Sequence, residues 1–163
     1  MRSGPSHSIH FSFSHGGIGA AIAETFARAG AFVFVSDVNP QTGWATVERI
    51  QSAKGSAGFL PLDVTREDEC IRAASIVLEQ HGRLDILVNN AGIGCVGTLA
   101  TTSGADFDRL WAVNVRGVFN LSKAFLPSML ARRSGNIVNM VSIGGVVAVR
   151  DRLAYSTSKF AVV

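Results

Sequence analysis

The sequence predicts an α/β fold built on a doubly wound parallel sheet, and three observations lead to that prediction. Short apolar runs rich in β-branched and aromatic residues alternate with segments of helical periodicity along the chain. These runs have the composition of strands that are buried on both faces. The polar and glycine-rich motifs each follow such a run, where ligands bind in sheets of this kind. We therefore expect a single three-layer α/β/α domain over residues 1–163.

Four apolar runs are the predicted second to fifth strands of five: AFVFVSD (31–37), GFLPLDV (58–64), LDILVNNAG (84–92) and NIVNMVS (136–142). Alternation of strands with helices places the strands parallel to one another. The segment SIHFSF (8–13) alternates apolar and polar residues, which is untypical of a strand covered on both faces. We therefore expect the start of the chain to depart from the pattern of the rest.

The helix boundaries are predicted from capping residues. Asn39-Pro40 is expected to open a helix towards Ala53. Thr65 is expected to cap a second helix, whose acidic first turn suits the positive end of the helix dipole and which ends at His81-Gly82. One long helix is expected from Ser103 to Ser134-Gly135, with Pro127 bending its last turns, and another from Ala154.

Composition excludes several classes of protein. The chain has 163 residues, 47% hydrophobic and 17% charged, so it can bury a core and is not disordered. Its net charge of +3 comes from scattered lysines and arginines, which form no stripe for nucleic acid. Cys70 and Cys95 have no metal-ligand spacing, and we expect no metal site. Without an apolar leader or membrane span, a cytoplasmic location is expected.

The segment SFSHGGIGAAIAE (12–24) contains Gly17, Ile18 and Gly19 at the predicted start of a helix. A helix N-terminus carries unpaired N–H groups and partial positive charge, so it can hold a pyrophosphate where glycines allow close approach. An ordinary glycine bend would produce the same short motif. The glycines alone therefore leave both interpretations open.

Asp37 lies at the end of the next predicted strand, about twenty residues after the glycines, where a carboxylate can bind a ribose diol. The same charge would repel a 2′-phosphate. Neither Gly16 nor Val38 offers a cation to accept that phosphate. The pattern favours NAD over NADP, although a solvated aspartate at a strand end would look the same.

Ser142, Tyr155 and Lys159 form the third motif. Tyr155 and Lys159 are four residues apart in a predicted helix and therefore share a face. An ammonium group close to a tyrosine favours the phenolate, which suits proton transfer to or from an alcohol oxygen. A surface Tyr–Lys pair without function is the alternative interpretation.

Taken together, these residues resemble the classical short-chain dehydrogenase/reductase family. The similarity extends from about Gly16 to the last residue. The matching segments are NNAG (89–92), NVRGVF (114–119), GNIVNMVS (135–142), YSTSK (155–159) and LDV (62–64). The resemblance implies a Rossmann fold and an NAD-dependent enzyme that interconverts a secondary alcohol and a ketone. It also implies a small-molecule substrate and a full-length form that is a homodimer or homotetramer.

The resemblance also assigns a role to each matching residue. Tyr155 would be the general acid or base, Ser142 would orient the substrate oxygen, and Asn114 would support a water that relays protons through Lys159. Lys159 would also hold the nicotinamide ribose. The implied cofactor residues are Ser12 (in place of a usual threonine), Gly17, Ile18, Gly19, Asp37, Asp63, Val64, Asn90, Gly92, Tyr155 and Lys159.

Two departures from the family pattern define the alternatives. Phe13 stands where the family has a glycine, and residues 1–15 are expected to be an atypical start. The strands and substrate loop that follow the Tyr–Lys helix in the family are absent, so we expect this chain to be poorly soluble or inactive. The alternative functions are an inactive or nucleotide-binding-only fragment, and an enzyme similar to 3-oxoacyl-acyl-carrier-protein reductases. The apolar residues among 143–154 indicate a hydrophobic or mixed substrate.

Overall fold

The computed structural model describes the backbone of residues 8–12 and all of residues 17–163. The described strands form one parallel sheet in the order β3-β2-β1-β4-β5. They are β1 (Ser8–Ser12), β2 (Phe32–Ser36), β3 (Ser56–Phe59), β4 (Ile86–Asn89) and β5 (Asn136–Asn139). The predicted doubly wound parallel sheet is confirmed, with strands shorter than the apolar runs that predicted them.

The first of the five predicted strands lies in the alternating segment at the start of the chain. Residues Ser8–Ser12 form β1, which lies at the centre of the sheet and pairs with β2 on one side and β4 on the other. The alternating pattern of this segment therefore did not prevent it from being a central strand, because the backbone ladder is independent of side-chain polarity. Phe13 and the three residues after it, together with residues 1–7, lie outside the described residues, as does the side chain of Ser12.

Helices cover both faces of the sheet. They are α1 (Ile18–Arg28), α2 (Pro40–Ser52), α3 (Glu67–His81), α4 (Gly104–Trp111), α5 (Gly117–Arg132) and α6 (Leu153–Phe160). One buried cluster contains Ala23, Val33 and Ile50 from α1, β2 and α2. A second contains Val77, Leu87 and Phe125 from α3, β4 and α5. Two separate cores on opposite faces give the three-layer α/β/α arrangement that the sequence predicts.

The β3–α3 connection corrects two predictions. Strand β3 ends at Phe59 rather than at residue 64, although the Leu60 N–H still donates to the Val35 carbonyl of β2 at 2.8 Å. Thr65 is not the N-cap of α3; that position is Arg66, without a side-chain cap bond. The Thr65 hydroxyl instead donates to Asp63 Oδ1 at 2.8 Å, which closes the turn between strand and helix.

The long helix expected from Ser103 is interrupted. Ser103 caps α4 as predicted, and its hydroxyl oxygen accepts from the Asp106 N–H at 3.0 Å. The backbone then widens into a π-helical segment, Ala112–Arg116, before α5 continues through Pro127 to Arg132. A π-turn accommodates one extra residue in a helix and is often found at functional sites. Here it contains Asn114.

The order of the strands places a crevice beside β1. From β1 the chain proceeds outward to β2 and β3, and then returns to the other side of β1 to form β4 and β5. The direction of winding therefore reverses between β1 and β4. Ligands in doubly wound sheets bind at the carboxyl ends of the strands on either side of such a reversal.

Candidate active site

A cavity of 660 Å³ opens at the carboxyl ends of these strands, and we refer to it as the strand-end cavity. Its lining residues come from the start of α1, from the loops after β4 and β5, and from α6. They are Ile18, Gly19, Asn90, Gly92, Ile93, Gly94, Cys95, Val96, Met140, Val141, Arg152, Tyr155 and Lys159. Six of the predicted site residues are therefore brought together: Ile18, Gly19, Asn90, Gly92, Tyr155 and Lys159.

The N-terminus of α1 forms one end of the strand-end cavity. Gly17 precedes the helix with φ 84° and ψ −125°, a backbone conformation that only glycine adopts readily. No side chain caps the helix and no acidic residue stands in its first turn. The first N–H groups of α1 therefore remain available to an anion beside Ile18 and Gly19.

Asp37 is buried, with 2% of its surface exposed, so it is not a solvated aspartate. Its Oδ1 accepts from the Asn39 N–H at 2.9 Å, and its Oδ2 accepts from the Thr42 hydroxyl at 2.8 Å. The carboxylate is thus held at the end of β2 by the first residues of α2. It does not line the strand-end cavity in this structure.

Asp63 and Val64 also lie outside the lining of the strand-end cavity. Asp63 Oδ1 accepts from both the N–H and the hydroxyl of Thr65. The Val64 carbonyl accepts from Asn120 Nδ2 at 2.9 Å. The β3–α3 connection therefore has a fixed conformation, because Asp63 bonds within the turn and Val64 bonds to α5.

Asn114 joins three parts of the chain from its position in the π-helical segment. It is 1% exposed, and its Oδ1 accepts from the Ile93 N–H at 2.8 Å. Its Nδ2 donates to the Ile93 carbonyl at 3.0 Å and to Ser158 Oγ at 2.8 Å. The π-turn thus directs this amide between the β4 loop and α6, and Asn114 lies directly behind the cavity wall.

Lys159 projects from α6 into the floor of the strand-end cavity. Its Nζ donates to the Met140 carbonyl at 2.7 Å, and burial lowers the pKa of the ammonium group. Gly92 faces it closely, because a Cβ added to Gly92 would lie 3.3 Å from Lys159 Nζ and 3.4 Å from Asn114 Oδ1. A larger residue at position 92 would therefore crowd both side chains.

Tyr155 is half-buried in the same wall, one helical turn before Lys159. Ser142 is not among the residues that line the cavity. Its Oγ accepts from the Gly144 N–H at 3.2 Å, and a Cβ on Gly144 would lie 3.3 Å from Tyr155 Cε1. Ser142 therefore begins the turn that packs against the Tyr155 ring.

Two groups of the candidate site were not predicted from the sequence. Ser158 connects Asn114 to α6, since its hydroxyl accepts from Asn114 and donates to the Tyr155 carbonyl at 2.8 Å. The Met140 carbonyl holds Lys159. Ser158 has a weak local signal, because a serine can bond the carbonyl three residues earlier in a helix, whereas a backbone carbonyl has none.

The chain belongs to the short-chain dehydrogenase family. The family described as short chain dehydrogenase matches residues 14–163. A cyclopentanol dehydrogenase from Comamonas sp. is 40% identical over 146 residues, which cover 90% of this chain and 58% of that protein. The family predicted from the motifs is thus confirmed.

Two solved structures extend the comparison. A metagenomic short-chain oxidoreductase in complex with NADP superposes with a TM-score of 0.91 at 37% identity, covering 98% of this chain and 73% of the other. An NAD+-bound xylitol dehydrogenase gives a TM-score of 0.93 at 29% identity, covering 99% and 62%. Proteins similar to this chain thus bind either nicotinamide cofactor. The chain spans 57% and 58% of the length of two curated relatives that it matches.

The residues present fit a nicotinamide dinucleotide. The open N-terminus of α1 suits a pyrophosphate, and Gly92 keeps side-chain atoms away from the cavity floor beside Lys159. Among residues 17–163, no group of three His, Cys, Asp or Glu side chains has the geometry to hold a metal ion. Over the same part of the chain, no helix has the length and apolarity needed to cross a membrane.

Proposed function

We propose that this protein interconverts a secondary alcohol and a ketone with NAD as cofactor. The observation that carries the proposal is the placement of Tyr155 and the buried Lys159 in one cavity with the open N-terminus of α1. The NAD preference rests on Asp37, whose buried carboxylate occupies the end of β2, where a 2′-phosphate would meet negative charge.

The nicotinamide ring supplies or accepts the hydride when the cofactor is bound. Tyr155 donates a proton from its hydroxyl to the substrate oxygen in reduction and removes it in oxidation. Ser142 orients that oxygen, and Lys159 holds the cofactor ribose while its positive charge favours the phenolate form of Tyr155. The other cofactor contacts are assigned to Ser12, Gly17, Ile18, Gly19, Asp37, Asp63, Val64, Asn90 and Gly92.

Asn114 has a positioning role in this scheme. Its amide fixes the backbone of Ile93 and the hydroxyl of Ser158, and Ser158 is next to Lys159 in α6. We assign to it the support of the water through which Lys159 exchanges protons with solvent. Because its three hydrogen bonds already determine the orientation of the amide, the group requires no rearrangement on binding.

The test compares Tyr155→Phe with the parent protein. We expect turnover of NAD with secondary alcohols, and of NADH with ketones, to fall at least about 100-fold in the variant, because general acid–base catalysis is lost. NADH affinity, measured by fluorescence titration, is expected to remain within about twofold, since the phenyl ring keeps its packing. Thr157→Val is the matched control: its exposed hydroxyl bonds only the Leu153 carbonyl in the same helix, and turnover should be unchanged.

Three results would contradict the proposal in different ways. Nucleotide binding without hydride transfer to any alcohol or ketone would identify a nucleotide-binding-only chain. A strong preference for NADPH would refute the role of Asp37 and favour the interpretation as an acyl-carrier-protein reductase. Undiminished turnover in Tyr155→Phe would remove the tyrosine from the chemistry.

A further inference from the structure

We propose that Arg152 binds a carboxylate on the substrate, so that the substrates of this protein are hydroxy acids and the corresponding keto acids. The inference deepens the proposed function and rests on it, because Arg152 lines the same cavity as Tyr155 and Lys159. It is carried by the charge of the cavity, by the absence of an acidic partner for Arg152 among the described residues and by the way its backbone is held.

The lining of the strand-end cavity carries positive charge without compensation. Arg152 and Lys159 are its charged residues, and no aspartate or glutamate is among the residues that line it. Lys159 already donates to the Met140 carbonyl at the floor. Arg152 is therefore the cation that remains to attract an anionic substrate group from the open side of the cavity.

Most N–H donors of the Arg152 guanidinium have no acceptor among the described residues. Its Nη1 lies 3.4 Å from the Cys95 carbonyl oxygen, a long contact. Within the described part of the chain, no carboxylate lies within ion-pair distance of Arg152: Asp151 pairs with Arg150 at 3.7 Å instead. A guanidinium has five N–H donors in a planar fork that matches a carboxylate, and most of them are left for a ligand.

The backbone on both sides of Arg152 is fixed, which limits the positions that its side chain can reach. The Gly97 N–H donates to the Asp151 carbonyl at 2.9 Å, and the Leu153 N–H donates to the Gly97 carbonyl at 3.0 Å. The Arg152 carbonyl accepts from the Ser156 N–H at 2.7 Å in the first turn of α6. The arginine is thus anchored to the helix that carries Tyr155, so an anion bound to it has a defined relation to the tyrosine.

The rest of the wall defines the body of the substrate. Ile93, Val96 and Val141 line the cavity with apolar side chains. A molecule with an apolar segment between its reacting carbinol and a terminal carboxylate would contact these residues while its two polar ends meet Tyr155 and Arg152. This sharpens the mixed apolar and polar substrate that residues 143–154 indicate.

The experiment measures kcat and KM for a series of 2- to 5-hydroxy carboxylates and for their methyl esters. In the parent protein we expect the best acid to exceed its ester in kcat/KM by about tenfold or more, because a charge-assisted pair with arginine is lost in the ester. Arg152→Met is expected to reduce this acid-to-ester ratio to about one, mainly through KM for the acid, and Arg152→Lys to retain part of it.

Arg150→Met is the matched control, because it removes the same charge two residues away. The Arg150 side chain is 95% exposed and is not part of the cavity, so the acid-to-ester ratio should stay at the parent value. An equal fall in both arginine variants would indicate a general effect of net charge and would overturn the proposal.

A binding measurement separates this inference from the proposed function. Pentanoate, which cannot be oxidised at a carbinol, is titrated calorimetrically into the protein and into Arg152→Met. Binding that depends on Arg152 supports the carboxylate site even if no hydride transfer is found. Turnover of esters as fast as acids, with no response to Arg152→Met, overturns the inference while the dehydrogenase activity stands. Tighter Arg152-dependent binding of butyl phosphate than of pentanoate would overturn the assignment to a carboxylate.

Discussion

The two ends of the candidate site each bury a charged side chain, but they hold it in different ways. Asp37 is 2% exposed, and the residues that bond its carboxylate, Asn39 and Thr42, are at most five positions away. Lys159 is 6% exposed, and its partner carbonyl belongs to Met140, nineteen positions earlier. The proposed cofactor end, at Asp37, is therefore built from local sequence, whereas the proposed catalytic end, at Lys159, depends on contacts that only the assembled sheet provides.

The glycines at the two ends show the same contrast. Among the described residues, no atom lies within 4 Å of a Cβ added to Gly17, and its requirement for glycine comes from its own φ of 84°. Gly92 is limited by the side chains of Lys159 and Asn114, which come from distant elements. Substitutions at the catalytic end should consequently disturb the fold more than substitutions at the cofactor end.

The largest effect is expected from Asn114→Leu. Leucine has a similar volume but removes the partner of the Ile93 N–H and carbonyl and the donor to the Ser158 hydroxyl, which keeps its own bond to the Tyr155 carbonyl, in a site that is 1% exposed. Because unpaired buried polar groups are costly, we expect the free energy of unfolding to fall by about 3 kcal/mol. Urea denaturation followed by circular dichroism measures this change.

Asn120→Leu is the control, because Asn120 is also a buried asparagine but does not make the three hydrogen bonds by which Asn114 joins Ile93 and Ser158. Asn120 is 3% exposed, and its Nδ2 donates to one acceptor, the Val64 carbonyl. We expect a smaller loss, of about 1 kcal/mol. Equal losses in the two variants would mean that Asn114 stabilises the chain no more than an ordinary buried amide, and the contrast between the two ends would lose its main support.

A smaller effect is expected at Gly17. Since no atom of the described residues obstructs a Cβ there, Gly17→Ala tests mainly backbone strain, and we expect a loss of about 1–2 kcal/mol together with weaker NADH binding. Gly104→Ala is the matched control, because this glycine opens α4 with ordinary φ and no atom within 4 Å. Alanine should stabilise it by about 0.5 kcal/mol. A neutral Gly17→Ala would show that the turn before α1 can relax.

The same division explains which features could be predicted from the sequence. Asn39 was identified as a helix cap and accepts from the Gln41 N–H at 2.9 Å, and Gly82 ends α3 with φ 71°. Both depend on neighbours in sequence. The π-turn could not be predicted, because the side chain at Asn114 bonds residues 21 and 44 positions away. The helical periodicity of the sequence continues across the π-turn and therefore does not indicate it.

The early end of β3 shows what the apolar run GFLPLDV could and could not predict. Pro61 is not its cause, because Leu60 and Leu62 on either side of it donate to β2, and position 61 therefore faces the open edge of the sheet, where a proline is tolerated. The Leu60 N–H donates to the Val35 carbonyl in β2, and the Leu62 N–H donates to the carbonyl of Asp37, the residue that follows β2. The run therefore lies alongside β2 without forming a regular strand. The apolar pattern therefore predicted that these residues lie beside β2, but not that the regular strand ends at Phe59.

The smallest effect depends on pH and concerns Lys159. Burial lowers its pKa from the usual 10.5, so the folded protein releases this proton at a lower pH than the unfolded chain does. Between those two pKa values the unfolded state binds more protons, and stability must rise with pH. We expect Lys159→Met to remove this rise, as measured by urea denaturation at successive pH values.

Cys70 acts in the opposite direction and must be separated from Lys159. Burial raises the pKa of its thiol from 9.0 to about 12, so the folded state keeps this proton longer and stability falls as pH increases above 9.0. Because the thiol is present in both proteins, the difference between the parent and Lys159→Met cancels its contribution. That difference should grow with pH in favour of the parent. A difference that is constant with pH would mean that the Lys159 ammonium is solvated as well in the folded protein as in the unfolded chain. The contrast between the two ends would then fail, because Lys159 would be no more desolvated than a lysine on an exposed surface.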